Sequence, residues 1–191
     1  MIALVRHGQT QPNREGLLLG RSDPPLTDTG RAQAEDLAAE FRGAPIERVV
    51  SSPLDRARAT AEMSAATRGI AVEVDERLIE LDYGAWEGQP LSALPRELLA
   101  EWRVDPRFAP PGGESLRAVG ERVASFCDNE LRHASALTVA VSHVSPIKAA
   151  VAWALNAGDE LAWRMRLDVA SVTRIGRGPV LLSFNETGHL R

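Results

Sequence analysis

The most informative segment of this chain is Leu4-Val5-Arg6-His7-Gly8-Gln9-Thr10. In it, an apolar run leads directly into a cation, an imidazole and a glycine. The residues before Arg6 are aliphatic and predict a buried strand. The strand would deliver a guanidinium and an imidazole to one edge of a sheet, beside a flexible backbone position. This pattern predicts the start of an anion-binding site.

Length and composition frame the rest of the chain. The chain has 191 residues, of which 44% are apolar and 25% are charged. These values are typical of one globular domain with a full core, and we expect a single domain over residues 1–191. The net charge of −4 provides no basic stripe for nucleic acid and no polybasic membrane anchor. A bound anion must therefore meet a local cluster of arginines, which favours a small-molecule partner.

Three absences suggest the cellular compartment. Cys127 is the only cysteine and cannot form an internal disulfide. The N-terminus lacks a charged leader followed by a long apolar segment, and no apolar run approaches the roughly 18 residues that span a bilayer. We therefore expect a cytoplasmic protein without a membrane partner. The sequence leaves the oligomeric state open.

Apolar β-branched runs alternate with stretches of helical period, which predicts an α/β fold with helices packed on a sheet. The predicted strands are Ile2 to Val5, Arg48 to Val50, Ile70 to Val74, Leu137 to Val141, Ser171 to Ile175 and Val180 to Phe184. The predicted helices follow Thr27, Ser52-Pro53 and Ser115, and a fourth begins at Ser145-Pro146. Only Gly176 to Pro179 separates the last two strands, so they should form a hairpin and make the sheet mixed.

Residues 75–113 form a long irregular segment, in which proline and glycine accumulate and one short helix is predicted around Pro95 to Trp102. Loops of this length in a compact domain are uncommon unless they are functional. We expect this segment to be an excursion over the active site that selects the substrate.

Polar residues follow three of the predicted strands. They are Arg6 and His7 after the first, Ser51, Ser52 and Arg56 after the second, and Ser142 and His143 after the fourth. Ligands of open α/β sheets bind at the carboxyl ends of strands, so these groups should converge. Taken singly, each arginine or histidine is more often a surface or hydrogen-bonding residue. Together they would repel one another unless an anion or carboxylates compensate them.

Two ligand types compete for this cluster. Two histidines with Glu80 and Asp82 would suit a metal ion, but arginine is not a metal ligand and opposes a cation. Phosphate fits better, because guanidinium groups match its oxygens in bidentate fashion. Glu80 lies among apolar neighbours, where partial burial favours the protonated carboxyl and suits it to donate a proton.

The two serine-proline pairs should open helices and present free backbone N–H groups to the anion. For Ser145, a helix cap without further function is an equally good interpretation.

These residues resemble the histidine phosphatase superfamily, also called phosphoglycerate mutase-like. The similarity rests on five blocks in order, and it covers most of the chain. The blocks are Arg6-His7-Gly8 with the following Asn13, Leu26 to Ala34, Ser51 to Ala57, Glu80 to Gly88, and Ser142-His143.

The resemblance implies a three-layer α/β/α sandwich with a mixed, mostly parallel sheet, no metal or other cofactor, and a phosphohistidine intermediate. It implies that His7 is the nucleophile, that Arg6, Arg56 and His143 hold the phosphoryl oxygens, and that Glu80 is the acid and base.

Further substrate-binding residues are expected around this centre: Asn13, Gly20, Tyr83, Val144 and Ser145. The family often has two glycines after the second histidine, where this chain has Val144-Ser145-Pro146, which leaves the Ser145 hydroxyl as the candidate to replace a backbone contact.

The predicted activity is hydrolysis of a small phosphomonoester. One alternative is a cofactor-dependent phosphoglycerate mutase, which needs extra anchors in a longer insertion. Arg103 is the best anchor candidate here, although an exposed helix arginine is the more favoured interpretation. Another is a phosphate-binding module that has lost turnover, which the joint presence of His7 and Glu80 disfavours.

Overall fold

A computed structural model describes residues 1–66 and 68–191. The strands are β1 (Ile2–Arg6), β2 (Ile46–Ser51), β3 (Val72–Val74), β4 (Leu137–Ser142), β5 (Val172–Gly176) and β6 (Val180–Glu186). The α-helices are α1 (Gln11–Glu15), α2 (Asp28–Glu40), α3 (Asp55–Ala66), α4 (Arg96–Val104), α5 (Leu116–His133) and α6 (Val144–Ala154). Short 3-10 helices occur at Glu76–Leu78, Gly84–Trp86, Leu91–Ala93 and Asp159–Arg164.

The described strands form one sheet in the order β3-β2-β4-β1-β5-β6. The first four of these are parallel to one another, and β5 is antiparallel to both β1 and β6. The predicted hairpin at Gly176 to Pro179 joins β5 to β6, as expected for so short a connection. The predicted mixed, mostly parallel α/β fold is confirmed.

Two apolar layers cover the two faces of the sheet. Ile2 and Leu4 of β1 point into a layer with residues of α5 and α6, whereas Ala3 and Val5 point into a layer with residues of α2 and α3. This alternation follows from the two-residue period of a strand. The layers on both faces account for the burial of β4 along its whole length and of β1 as far as Val5, and for the mainly apolar residues of both strands.

Most element boundaries differ from the prediction by one or two residues. The third strand is Val72–Val74 and so begins two residues later than expected. Helix α3 begins at Asp55, because Ser52-Pro53 and Leu54 form a turn before it rather than its first residues. The predicted cap at Thr27 is confirmed, since its hydroxyl accepts from the Gly30 N–H at 3.0 Å.

Two glycines bring the end of β1 against the start of α2. A Cβ on Gly8 would lie 2.3 Å from the Gly30 carbonyl oxygen, and a Cβ on Gly30 would lie 2.1 Å from the Gln9 carbonyl oxygen. Any side chain at either position would force the two segments apart. The close contact explains why the first two sequence blocks each contain a glycine.

Candidate active site

The polar ends of three parallel strands meet at one edge of the sheet. β4 lies between β1 and β2, so the residues that follow them are neighbours. The His7 N–H donates to the Ser142 carbonyl at 3.0 Å, and the Ser52 N–H donates to the Val141 carbonyl at 2.9 Å. These bonds extend the parallel pairing one residue past the strands and bring His7, Ser52 and His143 together, as predicted.

His7 is 2% exposed and its two ring nitrogens have different partners. Nδ1 lies 2.7 Å from the Gly8 carbonyl oxygen, and Nε2 lies 3.3 Å from the Arg56 Nε. A carbonyl only accepts and a guanidinium only donates, which assigns the proton to Nδ1 and a lone pair to Nε2. Burial and the charges of Arg56 and Arg6 lower the pKa of His7 well below its ordinary value. The imidazole is therefore neutral at pH 7.

Arg56 has a fully buried guanidinium that is held from several sides. Its Nη2 donates to the Gly20 carbonyl at 2.8 Å, and its Nη1 donates to the Ser22 carbonyl at 2.7 Å. The Asp23 carboxylate forms an ion pair with Nη1 at 3.2 Å. These contacts fix the guanidinium plane and direct Nε at His7.

Glu87 holds the loop that supplies these acceptors. Its carboxylate accepts from the N–H groups of Gly20 at 2.9 Å, Arg21 at 3.2 Å and Ser22 at 3.3 Å. Three consecutive amides are thereby turned toward Glu87, which directs the carbonyls of Gly20 and Ser22 toward Arg56. Glu87 thus acts on the site through Arg56 without contacting His7 in the described structure.

His143 is fully buried, and its ring centroid lies 5.1 Å from that of His7. Its Nε2 pairs with the Ser52 hydroxyl at 2.7 Å, whereas its Nδ1 has no hydrogen-bond partner among the described residues. Burial, His7 and the nearby arginines lower the pKa of His143 well below its ordinary value. An unpartnered ring nitrogen beside the nucleophile candidate is a group that a ligand can satisfy.

Glu80 is 3% exposed, and its carboxylate accepts from three backbone amides. The donors are the N–H groups of Leu81 at 2.7 Å, Val144 at 3.0 Å and Ser145 at 3.1 Å. The expected burial of Glu80 is confirmed, and the amide donors are an addition that the sequence did not predict, because the first turn of α6 faces this carboxylate. The bonds hold Glu80 at the entrance of α6, beside His143.

A cavity of about 240 Å³ opens over this edge of the sheet. Of the predicted site residues, Arg6, His7, Asn13, Glu80, Tyr83, Val144 and Ser145 line it. Arg56 and His143 lie beneath its floor, in contact with His7. Nine of the ten predicted residues are thus at the cavity or directly below it.

Gly20 is the exception. It lies behind the wall, with its N–H donating to Glu87 and its carbonyl accepting from Arg56. A Cβ on Gly20 would lie 2.6 Å from both the Glu87 carboxylate and the Leu81 carbonyl. Gly20 therefore positions Arg56 and does not line the cavity, and its contact with substrate stays a prediction.

The predicted free N–H groups at the two helix starts are occupied. The Asp23 carboxylate accepts from the backbone N–H groups of Asp55 and Arg56 at the start of α3. The N-cap position of α6 is His143 rather than Ser145, so the prediction of Ser145 as the cap is wrong. The Ser145 hydroxyl instead lies 3.4 Å from the Tyr83 hydroxyl.

Three residues at the site were not predicted from the sequence. Asp23 and Glu87 belong to loops and show no periodicity, although Glu87 lies in the run from Glu80 to Gly88. Lys148 lines the cavity from α6. The sequence does set this residue apart, because Lys148 is the only lysine in the chain.

The described residues do not support the alternative of a metal site at this edge of the sheet. The described residues contain no group of three or more histidine, cysteine, aspartate or glutamate side chains that could hold a metal ion. Asp82, the fourth proposed ligand, accepts from the Gly84 N–H at 2.8 Å. Residues 1–66 and 68–191 also contain no helix that is long and apolar enough to cross a bilayer.

The chain is similar to proteins of known class over its full length. The model of the histidine phosphatase superfamily (branch 1) matches residues 2–187. A bifunctional protein of Mycobacterium tuberculosis is 38% identical over 99% of this chain, and the chain spans about half (54%) of that relative. Phosphoserine phosphatase 1 of Hydrogenobacter thermophilus is 33% identical, and the match covers 99% of this chain and 93% of the relative.

A solved structure has the same fold. The phosphoserine phosphatase of Entamoeba histolytica, crystallised with 3-phosphoglyceric acid, superposes with a TM-score of 0.91 at 29% identity and covers 100% of this chain and 98% of its own. The predicted family is confirmed by a family model that spans nearly the whole chain. The chain belongs to the histidine phosphatase superfamily, branch 1.

Proposed function

We propose that this chain is a metal-independent phosphomonoesterase that hydrolyses small phosphorylated metabolites through a phosphohistidine on His7. The observation that carries the proposal is the state of His7. Its Nδ1–H is held by the Gly8 carbonyl, and its Nε2 lone pair lies beside Arg56 in a cavity that Arg6 and Glu80 also line. A neutral imidazole with one oriented lone pair is what attack on phosphorus requires.

The first half-reaction transfers the phosphoryl group to the enzyme. His7 Nε2 attacks phosphorus in line, so a P–N bond forms as the P–O bond to the leaving alcohol breaks. Protonated Glu80 gives its proton to the departing oxygen. Arg6, Arg56 and His143 surround the phosphoryl oxygens and stabilise the charge that develops on them.

The second half-reaction regenerates the enzyme. Glu80, now ionised, takes a proton from water, and the oxygen of that water attacks phosphorus as the P–N bond breaks. Inorganic phosphate leaves, and His7 returns to its neutral form. One carboxyl group serves as acid and then as base, as expected of a two-step displacement in one site.

The remaining cavity residues have supporting roles in this proposal. The Asn13 side-chain oxygen accepts from the Thr10 N–H at 3.1 Å, so its amide NH2 is the group left to donate to a phosphoryl oxygen. Tyr83 and Ser145 form a hydroxyl pair at the wall, where they can contact the leaving alcohol. The backbone N–H groups of Val144 and Ser145 donate to the Glu80 carboxylate. A contact between this backbone and the phosphate stays a prediction.

The relatives support hydrolysis of a small phosphorylated ligand. Two similar proteins carry the name phosphoserine phosphatase, and the Entamoeba structure holds 3-phosphoglyceric acid. The cytoplasmic location, the lack of nucleic-acid and membrane partners, and residues 75–113 as a substrate-selecting excursion stay predictions.

The test is hydrolysis of p-nitrophenyl phosphate and a panel of metabolite phosphomonoesters in the presence of a chelator. We expect turnover by the wild type and a loss of at least a thousandfold in kcat for His7→Ala. A chain that binds phosphate without turnover would be the binding module instead. Phosphoryl transfer from 3-phosphoglycerate to a second hydroxyl, faster than phosphate release, would identify a mutase.

A further inference from the structure

One cation in the cavity has no task in the proposed reaction. Lys148 is the only lysine of the chain, whereas arginine supplies every other cationic side chain apart from histidine. It lies on α6, one turn after the two amides that hold Glu80, and it lines the same cavity as Arg6 and His7. A ligand with a negative charge would stabilise this ammonium inside the cavity.

No carboxylate of the described residues forms an ion pair with Lys148. Arg56 differs from Lys148 in this respect, because it pairs with Asp23 at 3.2 Å, and Arg6 donates to the Leu167 carbonyl at 2.6 Å. Burial, with a further contribution from Arg6, lowers the pKa of Lys148, and the charge of Glu80 opposes the shift. A half-buried cation without a partner is costly unless a ligand supplies the opposite charge.

The cavity wall near Lys148 is largely apolar and aromatic. Trp102 and Trp163 pack edge to face with ring centroids 4.7 Å apart, and both line the cavity together with Leu116. Trp102 is 3% exposed, and its indole Nε1 has no hydrogen-bond partner in the described structure. The cavity therefore combines the Lys148 ammonium with a wall that is largely apolar and aromatic.

We propose that Lys148 binds a carboxylate of the leaving alcohol, so that the preferred substrates are phosphate esters of small hydroxycarboxylic acids. The inference rests on the proposed hydrolase activity and names its substrate class. A single ammonium matches the single charge of a carboxylate and can donate to its oxygens. A second phosphate group would need the several cationic donors that the reacting phosphate already occupies.

A matched pair of esters tests the assignment. 3-Phosphoglycerate and glycerol 3-phosphate share a three-carbon skeleton and differ by a carboxylate in place of a hydroxymethyl group. We expect the wild type to prefer the acid, with a ratio of kcat/KM of roughly tenfold to a hundredfold, the value of one hydrogen bond to a charged group. Lys148→Met should bring this ratio close to one, mainly through KM, and Lys148→Arg should restore part of it.

Arg103→Met is the control variant. Arg103 is exposed, and its guanidinium lies 5.5 Å from the centroid of the Trp163 ring, so this change removes a cation near the same aromatic wall. It should leave the ratio of the two esters unchanged. A change in the ratio for Arg103→Met but not for Lys148→Met would overturn the assignment to Lys148.

The outcomes separate the inference from the proposed function. Equal losses on both esters in Lys148→Met would show that the lysine supports Glu80 and would overturn the inference. A wild type that hydrolyses p-nitrophenyl phosphate but treats both esters alike would overturn the inference alone. A wild type that hydrolyses none of the three would overturn both.

The single lysine also permits a test that does not depend on turnover. Reductive methylation can modify only Lys148 and the N-terminal amine, and intact mass with peptide mapping separates the two. In His7→Ala, 3-phosphoglycerate should slow methylation of Lys148 at least fivefold more than glycerol 3-phosphate does at equal occupancy. Equal protection by both esters would contradict a carboxylate contact.

Discussion

The two buried histidines should make the stability of this protein fall steeply as the pH drops from 6.5 to 5. His7 and His143 both have folded-state pKa values well below the ordinary value of 6.5. The unfolded chain therefore binds more protons than the folded chain below pH 6.5, and their contribution to stability is full above that pH. Each histidine contributes a slope of up to about 1.4 kcal/mol per pH unit, so the pair costs at most about 4 kcal/mol at pH 5.

Urea unfolding at pH 7.5, 6.5, 5.5 and 5.0 measures this loss. Paired carboxylates such as Asp75, whose pKa is lowered, lose their contribution only at more acidic pH and stay outside the window. His7→Asn should reduce the slope between pH 6 and 5 by about half, and His133→Asn, which changes an exposed residue at the end of α5, is the matched control. A wild-type free energy of unfolding that is flat from pH 6.5 to 5 would refute the buried neutral state of both rings.

Three further substitutions test the supports of the site. Asp23→Ala should lower kcat at least tenfold and stability by about 1–2 kcal/mol, because Arg56 loses its ion pair and α3 loses its capping carboxylate; unchanged kinetics would contradict this role. Glu87→Ala should raise KM and lower kcat, because it releases the loop that holds Arg56. Glu87→Gln should have a smaller effect, and equal effects of the two substitutions would argue against a charged acceptor. Gly8→Ala should destabilise the protein by about 2–3 kcal/mol in urea unfolding, whereas Gly43→Ala, with open space around it, should be close to neutral.

The sheet and the convergence of the site could be predicted because both depend on local patterns. Apolar runs indicated the strands, and the polar residues directly after them had to meet at one edge once the strands were parallel neighbours. Arg6, His7 and His143 follow their strands at once, so their positions needed no knowledge of loops. Arg56 was predicted at the same edge by this argument and Glu80 from its apolar neighbours, whereas their roles as phosphoryl ligand and as acid and base came from the family resemblance.

The loop contacts could not be predicted, because they join residues far apart in the chain without periodicity. Asp23 occupies the start of α3, and Glu87 organises the amides of Gly20 to Ser22. Neither carboxylate is distinguishable from a surface charge until the loops are placed. This is why Gly20 was assigned to substrate, and why the start of α3 was expected to be free for an anion.

The identity of the phosphorylated atom tests whether Nε2 of His7 is the nucleophile. The wild type is mixed with a phosphomonoester, quenched within milliseconds in strong base, and digested for mass spectrometry and phosphorus NMR. Because Nδ1–H is held by the Gly8 carbonyl, we predict an acid-labile, base-stable phosphoryl group on Nε2 of His7. Phosphate on His143, an Nδ1 linkage, or turnover in single-turnover experiments without any phosphohistidine would contradict the proposed mechanism.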